Sequence, residues 1–168
     1  MQPILLATDG SATAASATAE AIRLARADGA PLVVVTVWDV PYTAPNSAVA
    51  MFPDLGAVPS APHVELARER AETVAGEAVR QARESALEVE TVLRCGAAVD
   101  EICGIAQRRQ ARLIVIGSHG WGRIRGGLLG STSAGVLHHA PCPVMVVPAR
   151  SRRKANTTAT VERVATEV

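Results

Sequence analysis

The sequence predicts an α/β fold: a three-layer α/β/α sandwich built on a five-stranded parallel sheet. Three observations carry that expectation. Short apolar runs alternate with helix-like stretches in the order β-α-β-α-β-α-β-α-β. Most of the runs are apolar almost without interruption, as strands covered on both faces must be. The chain, at 168 residues, fits one domain with a full core.

Each element follows from local chemistry. Ile4-Leu5-Leu6-Ala7 reads as the first strand, ended by the turn signal Thr8-Asp9-Gly10. From Ser11 to Asp28 the chain has helical character, with Ala15, Ala19, Ile22 and Ala25 as one stripe and Gly29 placed to stop it in the left-handed conformation. Leu32 to Val37 is the second strand. Trp38 to Pro62 carries five prolines and reads as a long connecting loop. A helix is expected from His63 to Ser85, with Ala67, Ala71, Val74, Ala78 and Ala82 inward and the pairs Arg68–Glu72 and Arg80–Glu84 outward. Val89 to Arg94 is the most polar strand and belongs at a sheet edge. Val99, Ile102, Cys103 and Ala106 form the next helical stripe, and Leu113 to Ile116 the fourth strand. A glycine-rich loop runs from Gly117 to Gly130, a short helix from Ser131 to about His139, and a fifth strand from Val144 to Val147. From Ala149 onward the chain is polar and reads as a disordered tail.

Composition narrows the function. The net charge is +1, which gives no global field for nucleic acid or an anionic membrane. The local basic cluster Arg150, Arg152, Arg153 and Lys154 lies in the tail and reads as solvated; a nucleic-acid role would rest on it alone. The three cysteines, Cys95, Cys103 and Cys142, have neither disulfide-framework nor zinc spacing. No signal peptide is read at the start and no apolar run is long enough to span a bilayer, so the expected compartment is the reducing cytoplasm.

The chemistry concentrates after the first and fourth strands. Gly117-Ser118-His119-Gly120, nine residues and Gly130-Ser131 join a buried strand to a helix that begins Ser131-Thr132-Ser133. Glycines let a backbone approach an anion, and the unpaired N–H groups of a helix start attract one. The spelling is neither a Walker A loop nor G-x-G-x-x-G. Ligands of open parallel sheets lie at the carboxyl ends of strands where the strand order reverses. If the first and fourth strands flank that point, Asp9 faces the loop across one crevice. Asp9 then either caps the first helix or accepts hydrogen bonds from a ribose or adenine, and the crevice favours the second role. Arg123 and Arg125 either reach outer phosphates or are solvated, Trp121 is either a lid or a packing anchor, and His119 reads as a surface loop residue. The apolar last strand, Val144 to Val147, would be an unprotected edge in a monomer, which predicts a homodimer.

The spacing Gly117-x-x-Gly120-x9-Gly130-Ser131 resembles the ATP-binding motif of the universal stress protein family. The opening Ile4 to Ser11 and the closing Cys142-Pro143-Val144-Met145-Val146-Val147-Pro148 are similar to that family's first and last strands. The resemblance covers Gln2 to about Pro148, leaving residues 1–148 as the domain and 149–168 as a basic and polar tail. It implies the adenine-nucleotide alpha hydrolase-like fold, with strand order 3-2-1-4-5. It implies adenine near Ala7, Asp9 and Val37, and ribose and phosphates around Ile116, Gly117, Gly120, Gly130, Ser131, Thr132 and Ser133. It also implies Mg²⁺ or Mn²⁺ carried on the phosphates near Asp9, and dimers paired through the last strand. The expected function is an ATP-binding stress-response or signalling module with protein partners that the sequence does not name. A slow ATPase and a nucleotide-independent dimeric interaction module are the alternatives. No Glu lies near either motif to serve as a general base, which disfavours catalysis.

Overall fold

A computed structural model describes residues 1–39, 61–120 and 129–149. Most of the proline-rich loop, Trp121, Arg123, Arg125 and the tail from residue 150 lie outside the described residues. The strands are β1 (Ile4–Ala7), β2 (Leu32–Trp38), β3 (Val89–Cys95), β4 (Leu113–Gly117) and β5 (Val144–Val147). The described helices are α1 (Ala12–Asp28), α2 (Ala61–Glu84), α3 (Ala98–Arg108) and α4 (Ser131–His139).

All strands pair in parallel, in the order β3-β2-β1-β4-β5. The order reverses at β1, whose Ala7 aligns with Val35 on one side and Ile116 on the other. Side chains alternate across the pleat. Ile4, Leu6, Leu32 and Val34 pack with Ala17, Ala21, Ala78 and Ala82 of α1 and α2. Leu5, Ala7, Val33 and Val35 pack with Ile102, Ile105 and Val136 of α3 and α4. Each fully buried Leu or Ile contributes about 1.5–3 kcal/mol, and alanines on the helices let them lie close to the sheet.

Two sequence expectations are corrected. The buried face of α1 is Thr13, Ala14, Ala17, Thr18, Ala21 and Ala25. Ala15 and Ala19 are exposed and Ile22 is only half-buried. Alanine occurs on every side of this helix, so apolar periodicity does not single out the inner face, and two threonines complete it. In α2 the inward residues are Ala71, Ala75, Ala78, Val79 and Ala82, while Ala67 and Val74 are half-buried. That helix starts at Ala61, close to the expected start at about His63, with Pro62 in its first turn, where a missing N–H costs nothing. The pairs Arg68–Glu72 and Arg80–Glu84 form, and β3 occupies an edge.

Candidate functional site

Beyond the paired ends of β1 and β4, the segments that follow the two strands are joined through side chains. Ser11 is the N-cap of α1: its Oγ accepts the N–H of Ala14 at 3.3 Å. Asp9 Oδ1 accepts the N–H of Ser11 at 3.0 Å, so the carboxylate supports the cap without being it. Thr13 Oγ1 donates to the carbonyl of His119 and accepts the His119 N–H at 3.3 Å. Ser11 Oγ donates to the same carbonyl at 3.2 Å. The start of α1 thus holds the first part of the glycine loop. The far end of that loop is tied back by the Gly130 N–H, which donates to the Ser118 carbonyl at 2.8 Å.

Closeness, sharpest at Gly117, and not backbone sign marks the motif glycines. None of Gly117, Gly120 or Gly130 has a positive φ. A Cβ on Gly117 would lie 2.5 Å from Thr13 Oγ1 and 2.8 Å from the Ala14 nitrogen. One on Gly120 would lie 2.7 Å from Asp9 Oδ2, and one on Gly130 would lie 3.3 Å from His119 Cα. Gly117 and Gly120 therefore bring the β4 loop onto the β1–α1 turn, and Gly130 closes the loop onto its own start. Gly10 complements them: its φ of +77° is left-handed, and it packs under Val74 of α2.

Between these segments lies a cleft of about 300 Å³. Its apolar floor includes Ala7, Val35, Val37 and Ile116, and Ala98 and Ile102 of α3 form one wall. The opposite side is the start of α4. The N-cap there is Gly130, which offers no side-chain cap, and the first turn carries no acidic residue. The α3 start at the same cleft also lacks a side-chain cap, but it carries Asp100 and Glu101 in its first turn. The α4 N-terminus is therefore the helix end left to an outside anion. Asp9 stands on the cleft as a carboxylate, suited to accept hydrogen bonds from a ligand.

All ten described residues expected at a nucleotide site line this one cleft: Ala7, Asp9, Val37, Ile116, Gly117, Gly120, Gly130, Ser131, Thr132 and Ser133. The expected phosphate contacts Arg123 and Arg125 fall outside the described residues. Ser133 differs in detail: its hydroxyl donates to the Gly117 carbonyl at 2.7 Å, so it closes the end of β4 and leaves its backbone N–H for the cleft. Sequence reasoning missed Thr13 and the α3 wall, and between a phosphate approach and a surface position for His119 it favoured the surface, whereas His119 lines the cleft. The hydroxyl pair Ser11-x-Thr13 was the local signal for the clamp, and the apolar Ile102 for the wall. His119 is not a plain surface residue, because its backbone is held by Thr13 and its Nδ1 lies 3.0 Å from Ser118 Oγ. Among the described residues no group of three His, Cys, Asp or Glu is placed to hold a metal ion, and no helix is long and apolar enough to cross a membrane.

An open parallel sheet with a polar-rimmed cleft at its switch point defines a ligand-binding α/β protein. The chain belongs to the universal stress protein family, whose sequence profile matches residues 1–148. It is 33% identical over 149 residues to a universal stress protein of Mycolicibacterium smegmatis, covering 88% of this chain and 46% of that protein. The chain spans about half the length of the first curated relatives it matches. Among solved structures, UspA from Lactobacillus plantarum superposes with a TM-score of 0.68 at 29% identity, over 87% of this chain and 97% of that one. A universal stress protein in complex with cAMP superposes with a TM-score of 0.61 at 26% identity, over 88% of this chain and 97% of that one.

Proposed function

We propose that this chain binds an adenine nucleotide, ATP, in the cleft between Asp9 and the start of α4. On this reading nucleotide occupancy switches a stress-response module in the cytoplasm. The observation that carries the reading is the pairing of an uncapped, acid-free helix start with an apolar floor and a facing carboxylate. A relative of the same fold in complex with cAMP supports the adenine class. The base lies on the floor beside Ala7 and Val37, with Asp9 accepting from its donors or from the ribose. Ribose and phosphates lie along Ile116, Gly117, Gly120 and Gly130, with the phosphates on the N–H groups of Ser131, Thr132 and Ser133. Arg123 and Arg125 reach the outer phosphates. The described cleft supplies one carboxylate, Asp9, so Mg²⁺ or Mn²⁺ arrives on the phosphates and not on a protein-built site.

The nucleotide unit spans residues 1–148, and residues 149–168 are a polar extension. Two copies pair through β5, which stands at the sheet edge with all four residues half-buried. Light scattering at micromolar concentration reads a dimer on this account and a monomer against it.

The test of the nucleotide reading is calorimetric titration of the nucleotide-stripped chain with ATP, ADP, AMP and GTP, with and without Mg²⁺. Micromolar adenine-nucleotide binding with GTP at least tenfold weaker supports it. A folded protein that binds none of them removes it.

A further inference from the structure

The cysteines lie outside the cleft, and two of them share a seam. Cys95 is exposed at the end of β3, whereas Cys103 and Cys142 are partly buried, and all three are free thiols. Cys103 stands one helical turn after Val99, on the same side of α3. That side meets α4: a Cβ on Gly135 would lie 2.6 Å from Val99 Cγ2. Cys142 follows the end of α4 and directly precedes Pro143 and β5. Both cysteines pack against one buried cluster that includes Ile102, Ile105 and Val136.

We propose that Cys103 and Cys142 form an intramolecular redox pair that closes to a disulfide when a hydroperoxide oxidises it. One thiolate attacks the peroxide, the O–O bond breaks, an S–O bond forms and water or an alcohol leaves. The second sulfur then displaces the hydroxyl of the sulfenic acid, the S–S bond forms and water leaves. Two thiols together lose two electrons, and the peroxide gains them. Burial pushes both thiols up, Asp100 adds to the rise at Cys103, and the Cys103 charge adds to it at Cys142. Both shifts make the attacking thiolate scarcer, so the pair closes more slowly than an unperturbed thiol would react. The bond ties α3, whose Ala98 and Ile102 wall the cleft, to the entry of the edge strand β5.

The test treats the full-length native chain with hydrogen peroxide, counts free thiols after quenching and maps unreduced peptides by mass spectrometry. The expected result is loss of the Cys103 and Cys142 thiols, with a Cys103–Cys142 peptide recovered from the monomeric chain whether or not the exposed Cys95 is also oxidised. A Cys95→Ser variant keeps that peptide, and a Cys103→Ser variant loses it. The same treatment in urea gives chiefly Cys95–Cys103, because the shorter loop closes more readily. A disulfide needs Cα atoms within about 7 Å, so native selectivity also reports the approach of the two residues. Three surviving thiols, sulfinic acid at either position without a linked peptide, or a native pattern equal to the one in urea would overturn the proposal.

Discussion

The two ends of the sheet are finished in opposite ways. At the end away from the cleft, α1, α2 and α3 stop with the same device. Gly29, Ala86 and Gln110 each adopt positive φ, and the next N–H donates five residues back: Ala30 to Ala25, Leu87 to Ala82 and Ala111 to Ala106. These caps satisfy carbonyls that a helix end otherwise leaves orphaned. The ion pair Arg112–Asp28 adds a link there. At the cleft end, hydroxyls and missing side chains hold α1 and the β4 loop together, and the start of α4 is left without a side-chain cap. One end is closed by its own chain. The other leaves the starts of α3 and α4 without side-chain caps, and of these two only α4 also lacks acidic residues in its first turn.

Substitutions sharpen this contrast, beginning with the most damaging. Gly117→Val places a branched side chain where even a Cβ meets Thr13 and the Ala14 nitrogen. We expect a loss of about 3 kcal/mol or more, read as a large fall in the denaturant midpoint. Thr13→Val removes the clamp, leaving the His119 N–H without this partner and its carbonyl held by Ser11 Oγ alone. It should cost about 1–3 kcal/mol in the same assay and weaken nucleotide binding as well.

Gly120→Ala separates site from fold. Its Cβ meets the tip of the Asp9 side chain, which can move, so the melting temperature stays near that of the parent. Nucleotide affinity should fall about tenfold, near 1.4 kcal/mol, by calorimetry. Ala86→Gly acts at the closed end, where alanine sits at φ +56°. It should stabilise the chain by about 0.5–1 kcal/mol in denaturant melts, with nucleotide affinity unchanged.

Much of this was legible in the sequence, for reasons that differ by residue. The strands were legible because their apolar runs are short, bounded and mostly β-branched. Gly29 was legible because glycine at a helix end has one common use. Ala86 and Gln110 make the same cap without that marker, so nothing in their spelling announces it. The lining of the candidate cleft was legible as a set of residues, because the loop and the Thr8-Asp9-Gly10 turn are both written locally. The reason for its glycines was not: a Cβ would meet α1 at Gly117, the Asp9 side chain at Gly120 and the loop's own backbone at Gly130. The Thr13–His119 clamp and the Ser133–Gly117 bond were hidden because their partners lie apart in sequence. In α1 the alanine-rich composition itself erased the signal, and the inner face had to be read from contacts.

Hydrogen exchange of backbone amides, with and without saturating ATP, tests the central claim most directly. If the cleft end is the one completed by ligand, protection rises at Ser131 to Ala134 and at Asp9 to Ser11, while the caps at Ala30, Leu87 and Ala111 do not change. Protection confined to the capped end, or no change at Ser131 to Ala134 in a chain that binds ATP, would contradict it.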